Sequence, residues 1–99
     1  MNEQKIIEIG THATGSYVSD CYPFEVIDIT PSGKTITIRE LTAIPTENYD
    51  YFSNQEHTFE SNPNGRTHKV RFSKNKGWKT SGGMKVSFGK AFQYQDPHY

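Results

Sequence analysis

Three observations predict an all-β fold. Thr, Val and Ile number 22 of the 99 residues, against six for Ala, Leu and Met together. β-branched side chains lose rotamer freedom in a helix and pack well on a pleated sheet. Aromatic residues make up 13% of the chain and hydrophobic ones only 32%, so the core is thin and built on rings. Turn-forming stretches recur at short intervals, among them Pro31-Ser32-Gly33, Asn75-Lys76-Gly77 and Ser81-Gly82-Gly83. The expectation is one domain over residues 1–99, a small antiparallel sandwich or partly open barrel of about four to seven short strands.

The elements follow in order. Lys5-Ile6-Ile7-Glu8-Ile9 is a short strand candidate that ends at Gly10. Residues 11–18 form a second strand or a loop, and their small side chains call for close backbone approach. Ser19-Asp20 reads as a turn. Residues 24–29 are apolar on both faces at their end, as in a central strand. Pro31 presets φ and Gly33 supplies the left-handed position of the next turn. Residues 35–40 alternate cleanly, with Ile36 and Ile38 on one face, so residues 24–40 form a β-hairpin.

Residues 42–55 keep no period and contain Pro45. They read as a long loop with Tyr49, Tyr51 and Phe52 as its apolar content, and loops of this length are often functional. Residues 56–60 are expected to pair with residues 66–73 across Asn62-Pro63-Asn64-Gly65, with Gly65 in a left-handed position. In the second of those strands His68, Val70 and Phe72 share one face, and Thr67, Lys69 and Arg71 the other. Val86 and Phe88 point inward from residues 85–88. The tail from Gly89 is aromatic and polar.

The formal net charge is zero, from 11 basic and 11 acidic residues, and it hides a split. Residues 1–50 hold three basic and eight acidic side chains, net −5, whereas residues 51–99 hold eight basic and three acidic, net +5. A chain basic throughout, of the kind that coats long nucleic acid, is excluded, and a local cationic face is allowed. No run of about 18 apolar residues is present to span a membrane. The N-terminus lacks the apolar stretch of a signal peptide. A lone Cys21 cannot form an internal disulfide, so a cytoplasmic setting is expected.

Between Glu60 and Asp96 there is no acidic residue, while Arg66, Lys69, Arg71, Lys74, Lys76, Lys79, Lys85 and Lys90 interleave with Phe72, Trp78 and Phe88. Cations pair with phosphate and aromatic rings stack on bases. The competing reading is a solvated face neutralised by the acidic half. The four histidines show no metal-ligand spacing, and His68 reads as a core-edge residue. His12-Ala13-Thr14 has no second His-x-Thr or His-x-Ser to complete a two-histidine phosphoesterase. An acid–base ribonuclease would need Glu56, His57 and Arg71 on adjacent strands. Cys21 reads as a structural thiol.

Ala13-Thr14, Ser19-Asp20, Tyr22-Pro23 and the Val26-Ile27 strand, with Gly77-Trp78, Phe88-Gly89 and the ending Tyr94-Gln95-Asp96-Pro97-His98-Tyr99, resemble a widespread set of small phage-encoded β proteins. The resemblance implies counter-defence: a molecular sponge, homo-oligomeric and non-catalytic, that sequesters a cyclic nucleotide or ADP-ribose-type immune signal without cofactor or metal. On that footing the site is expected among Thr14, Ser16, Ser19 and Asp20, with Arg66, Lys69 and Arg71 meeting phosphate. Trp78, Tyr22 or Tyr94 would stack on a base, and Asp20 or Asp96 would accept from ribose hydroxyls. Trp78 is read first as core and second as a stacking ring. The partner is a small nucleotide-like ligand, with neither long nucleic acid nor a membrane. The alternatives are a protein inhibitor of a defence protein, anchored by Tyr49, Tyr51 and Phe52, and an RNA-acting enzyme using His57.

Overall fold

Alternation along each short strand sorts side chains to the two sides of one wall. The structure is a computed structural model and describes residues 7–17 and 20–95. Among these residues the strands run, in chain order, β1 (His12–Tyr17), β2 (Asp20–Ile29), β3 (Thr35–Glu40), β4 (Thr42–Pro45), β5 (His57–Glu60), β6 (Thr67–Ser73), β7 (Gly77–Thr80) and β8 (Lys85–Phe88). Six of them close a barrel in the order β1, β2, β3, β6, β7, β8, while β4 and β5 make a separate two-stranded sheet. Every pairing is antiparallel. The all-β class and the antiparallel barrel are therefore as expected from sequence. The barrel is closed, because β1 pairs with both β2 and β8, and closure removes the exposed edges of an open sheet.

The core is Ala13, Phe24, Val26, Ile36, Ile38, Val70, Met84, Val86 and Phe88. Ile36, Ile38, Val86 and Phe88 take the inward places their alternation predicts. The small residues of β1 have a steric cause: a Cβ on Gly15 would lie 2.5 Å from Met84 Sδ and 2.8 Å from Phe24 Cε2. His68 stands edge-on to Phe24 at 5.5 Å, at the margin of the core. A register shift between Val26 and Asp28 is a β-bulge at Ile27, which re-aims the apolar end of β2.

Several local expectations change. Residues 56–60 do not pair with residues 66–73: β5 pairs with β4, Thr42 opposite Glu60 and Pro45 opposite His57. β6 lies between β3 and β7, as barrel closure requires. Leu41 alone separates β3 from β4, so the paired chains continue past the barrel as an arm. The expected 42–55 loop thus begins as a strand. Asn62 to Gly65 do form a turn, with Gly65 N donating to Asn62 O at 2.9 Å, but it is a step inside the long hairpin and not its tip. Gly65 is absent from the left-handed glycines; a Cβ there would strike the Glu40 carbonyl oxygen. Asp20 opens β2 opposite Tyr17, and Ser19, the other residue of the expected turn, lies outside the described residues. Residues 7–9 form no strand, and the rest of that candidate lies outside the described residues.

The tail crosses the β1–β2 wall. Cys21 and Tyr94 exchange backbone hydrogen bonds of 2.8 and 3.0 Å, and the Thr14 hydroxyl donates to the Lys90 carbonyl at 2.7 Å. The opposite wall, β6 to β8, has no such cover among the described residues.

Candidate functional site

The registers of the uncovered wall set like charges side by side. Thr35 is opposite Arg71, Arg71 opposite Lys79, and Lys79 opposite Lys85. Ser16 of β1 is opposite Lys85 and continues the row. The neighbouring Ile36, Val70, Trp78 and Val86 turn to the core, so the row faces outward. Lys69 stands on the same face beside Thr37. Like charges directly opposite one another destabilise a sheet, and this row sets three of them on successive strands.

Rings lie beside these cations. Phe72 is opposite Trp78, and the Trp78 ring lies 5.3 Å from Phe72 and 5.3 Å from Phe88, edge to face in each case. Trp78 is half-buried against the core and is fixed by it. Phe72, expected on the core face with Val70, is 58% exposed, because it sits near the end of β6 where the barrel stops. β7 and β8 share a single register pair, Lys79 with Lys85, and beyond it they part.

Their parting opens a cleft of about 760 Å³ over Trp78, Val86 and Phe88. A second cleft of about 580 Å³ runs past Lys69, Arg71, Lys79 and Thr80. A third, about 610 Å³, lies between Lys34, Thr35, Arg71 and Trp78. Phe72 lines all three, and each volume falls in the range of roughly 300–1,000 Å³ typical of small-molecule sites. Among the described residues Lys34, Lys69, Arg71, Lys76, Lys79 and Lys85 line the clefts, and no Asp or Glu does.

Of the residues expected at the site, Lys69, Arg71 and Trp78 are brought together here. Arg66 is not. It precedes β6, its carbonyl accepts from Glu40 N at 2.9 Å, and it lines none of the three clefts. Thr14, Asp20, Tyr22 and Tyr94 belong to the β1–β2 wall, where Thr14 and Tyr94 hold the tail. Ser16 joins the row through Lys85, and its Oγ lies 3.8 Å from Cys21 Sγ. Burial, followed by the neighbouring Asp20 carboxylate, pushes the Tyr22 phenol above its ordinary pKa. Ser19 and Asp96 lie outside the described residues. Lys34 and Phe72 were missed as site residues. Lys76, Lys79 and Lys85 were visible only as part of a basic stretch, since register alone decides which of them stand opposite one another.

The arm carries a different chemistry. Residues 42–60 contain Glu47, Asp50, Glu56 and Glu60 and no Lys or Arg. The buried Gln55 amide donates to the Tyr51 carbonyl at 2.8 Å and to the Gln95 carbonyl at 2.7 Å. Gln95 N donates back to Gln55 Oε1 at 2.9 Å, clasping arm to tail. Glu56 accepts from the Thr46 hydroxyl at 2.6 Å and from the Asn48 amide, and those bonds hold its carboxyl below the usual range. His57 Nδ1 lies 2.9 Å from the Gln55 carbonyl oxygen. Since β5 pairs with β4, Glu56 and His57 do not meet Arg71 across a ladder. Among the described residues no group of three or more His, Cys, Asp or Glu could hold a metal ion. Comparison with known proteins finds no matching family model, no matching curated protein and no matching solved structure.

Proposed function

We propose that the protein is a non-enzymatic binding module that captures a small phosphate-bearing nucleotide at the Phe72 end of the barrel. One observation carries this: among the described residues, six cations and no carboxylate line three adjoining clefts that share one exposed ring. Guanidinium and ammonium groups make charge-assisted bonds to phosphate. Stacking on an aromatic ring contributes roughly 1–3 kcal/mol per base. Thr35, Thr80 and Ser81 place hydroxyls within the same clefts, suited to a ribose. Trp78 is positioned in advance by the core, which lowers the ordering cost of binding. The acidic arm disfavours a long polyanion running past the barrel and leaves a small ligand as the fitting partner.

The resemblance to phage-encoded proteins supplies the setting. There the captured molecule is an immune signal of cyclic nucleotide or ADP-ribose type, withdrawn from the host cytoplasm by a homo-oligomer that does not alter it. The test is thermal shift against a panel of cyclic dinucleotides and ADP-ribose isomers, with mass spectrometry of what heat denaturation releases. A raised melting temperature and intact released ligand are expected, with both lost in Phe72→Ala combined with Arg71→Gln. No shift at millimolar ligand across the panel overturns the proposal. A ligand recovered in cleaved form replaces it with an enzyme.

A further inference from the structure

We infer that the ligand carries two phosphate groups and lies along Arg71, Lys79 and Lys85 with its ring toward Phe72; this rests on the nucleotide reading above. The three cations occupy directly opposed positions on three successive strands. At about 4.8 Å between strands, the row spans roughly 10 Å. Side chains stand nearly perpendicular to a sheet, and mutual repulsion keeps the three charged ends apart. A phosphate monoester brings a charge of about −1.5 to −2 at neutral pH, which leaves a cation of the row unmatched. Two phosphate groups, fused or separate, cover its length, and a terminal diphosphate, which carries more charge than a monoester, also matches its charge.

The row also crosses the shortest pairing of the barrel. Lys79 and Lys85 form the single register pair between β7 and β8, so the pair that joins these strands is itself repulsive. An anion bridging Lys79 and Lys85 removes that repulsion and draws the seam together. Ser16 and Thr35, at the two ends of the row, add hydroxyl donors for the outermost phosphate oxygens.

The test is calorimetric titration of the full chain with adenosine monophosphate, adenosine diphosphate and cyclic diadenylate, in wild type, Lys79→Gln and Lys85→Gln. At least one of the two-phosphate ligands is expected to bind about tenfold more tightly than the monophosphate. A preference for adenosine diphosphate places the two phosphates adjacent, and a preference for cyclic diadenylate places them apart. Lys85→Gln is expected to cost the preferred ligand about tenfold and the monophosphate less than about twofold. Without ligand, Lys79→Gln is expected to melt about 2 °C higher than wild type, because it relieves the row. Glutamine keeps the Cβ and Cγ methylenes of the lysine stem and removes its charge, so the variants retain the packing of the stem's base. If the monophosphate binds as tightly as the others and Lys85→Gln weakens all alike, the two-phosphate inference falls and the nucleotide reading stands. If Lys79→Gln melts lower than wild type without ligand, the strain in the row is refuted and the inference falls with it. If no nucleotide binds, the nucleotide reading itself falls.

Discussion

The β6–β8 wall and the β4–β5 arm come from one chain of zero net charge, and they are opposites in charge and in what holds them. Among the described residues six cations and no carboxylate line the clefts of the wall, whereas four carboxylates and no Lys or Arg occur in residues 42–60. Behind the wall lies the aromatic and aliphatic core. The arm buries no large apolar side chain; Ile44 and Phe52 are exposed, Phe52 by 71%, and Gln55 is its buried residue. The two halves of the sequence therefore do not cancel by pairing with each other. They are held apart by architecture, and the difference teaches that the barrel is stabilised by apolar burial and the arm by hydrogen bonds.

The comparison can be broken most sharply by removing one ring from each region. Phe24→Ala, in the core, is expected to cost about 3–5 kcal/mol in denaturant unfolding. Phe52→Ala, on the arm, is expected to cost less than about 0.5 kcal/mol. Equal costs would make the arm part of the core. The next effect lies at the joint of the two regions. Glu25, buried, accepts from Arg39 Nη2 at 3.1 Å and from the Ser61 hydroxyl at 3.0 Å. Arg39 Nε already lacks a partner among the described residues. Glu25→Ala is expected to destabilise the fold by about 2–3 kcal/mol, because it strands the guanidinium; a cost below about 0.5 kcal/mol would mean that arm and barrel are independent.

A smaller effect is confined to the arm. Gln55→Ala removes the clasp to Gln95 and is expected to cost about 1–2 kcal/mol, read as faster amide exchange at Gln95 with the β6 amides unchanged. The smallest is a pH response. Glu56 is held below its ordinary value of 4.5 in the folded chain. The stability it lends to the arm tip is full above that value and is lost as pH falls through the lowered one. The Asn48 side-chain amide resonances should shift in that acid window in wild type and at higher pH in Thr46→Val, which removes the larger of the two bonds that lower Glu56.

Much of the barrel was legible in the sequence because its strands alternate. Ile36 with Ile38 and Val86 with Phe88 announce their inward faces, and Gly33 announces the turn of the first hairpin. The partner of residues 56–60 was not legible, because residues 66–73 and 42–45 both offer a suitable edge and closure of the barrel decides between them. At the site, Lys69, Arg71 and Trp78 were marked by the interleaving of cations with rings. The opposition of Lys79 and Lys85 depends on register, which local sequence does not encode, and Lys34 arrives from a different hairpin. The Thr14 hydroxyl, expected at the site, donates to the Lys90 carbonyl, and Tyr94, expected as a stacking ring, pairs through its backbone with Cys21; such tail contacts depend on tertiary placement that local sequence does not encode.

The closing pair of the barrel has a consequence in time. β1 meets β8 between Ala13 and Phe88 and between Ser16 and Lys85, contacts that span most of the chain. Pairings so distant in sequence form slowly, because loop-closure entropy must be overcome before they stabilise anything. Arg71, Lys79 and Lys85 lie on β6, β7 and β8, the last three strands of the barrel in chain order, and Ser16 joins them only when the ring shuts. A nascent chain thus has no complete row until β8 is out and paired, long after β1 has been made.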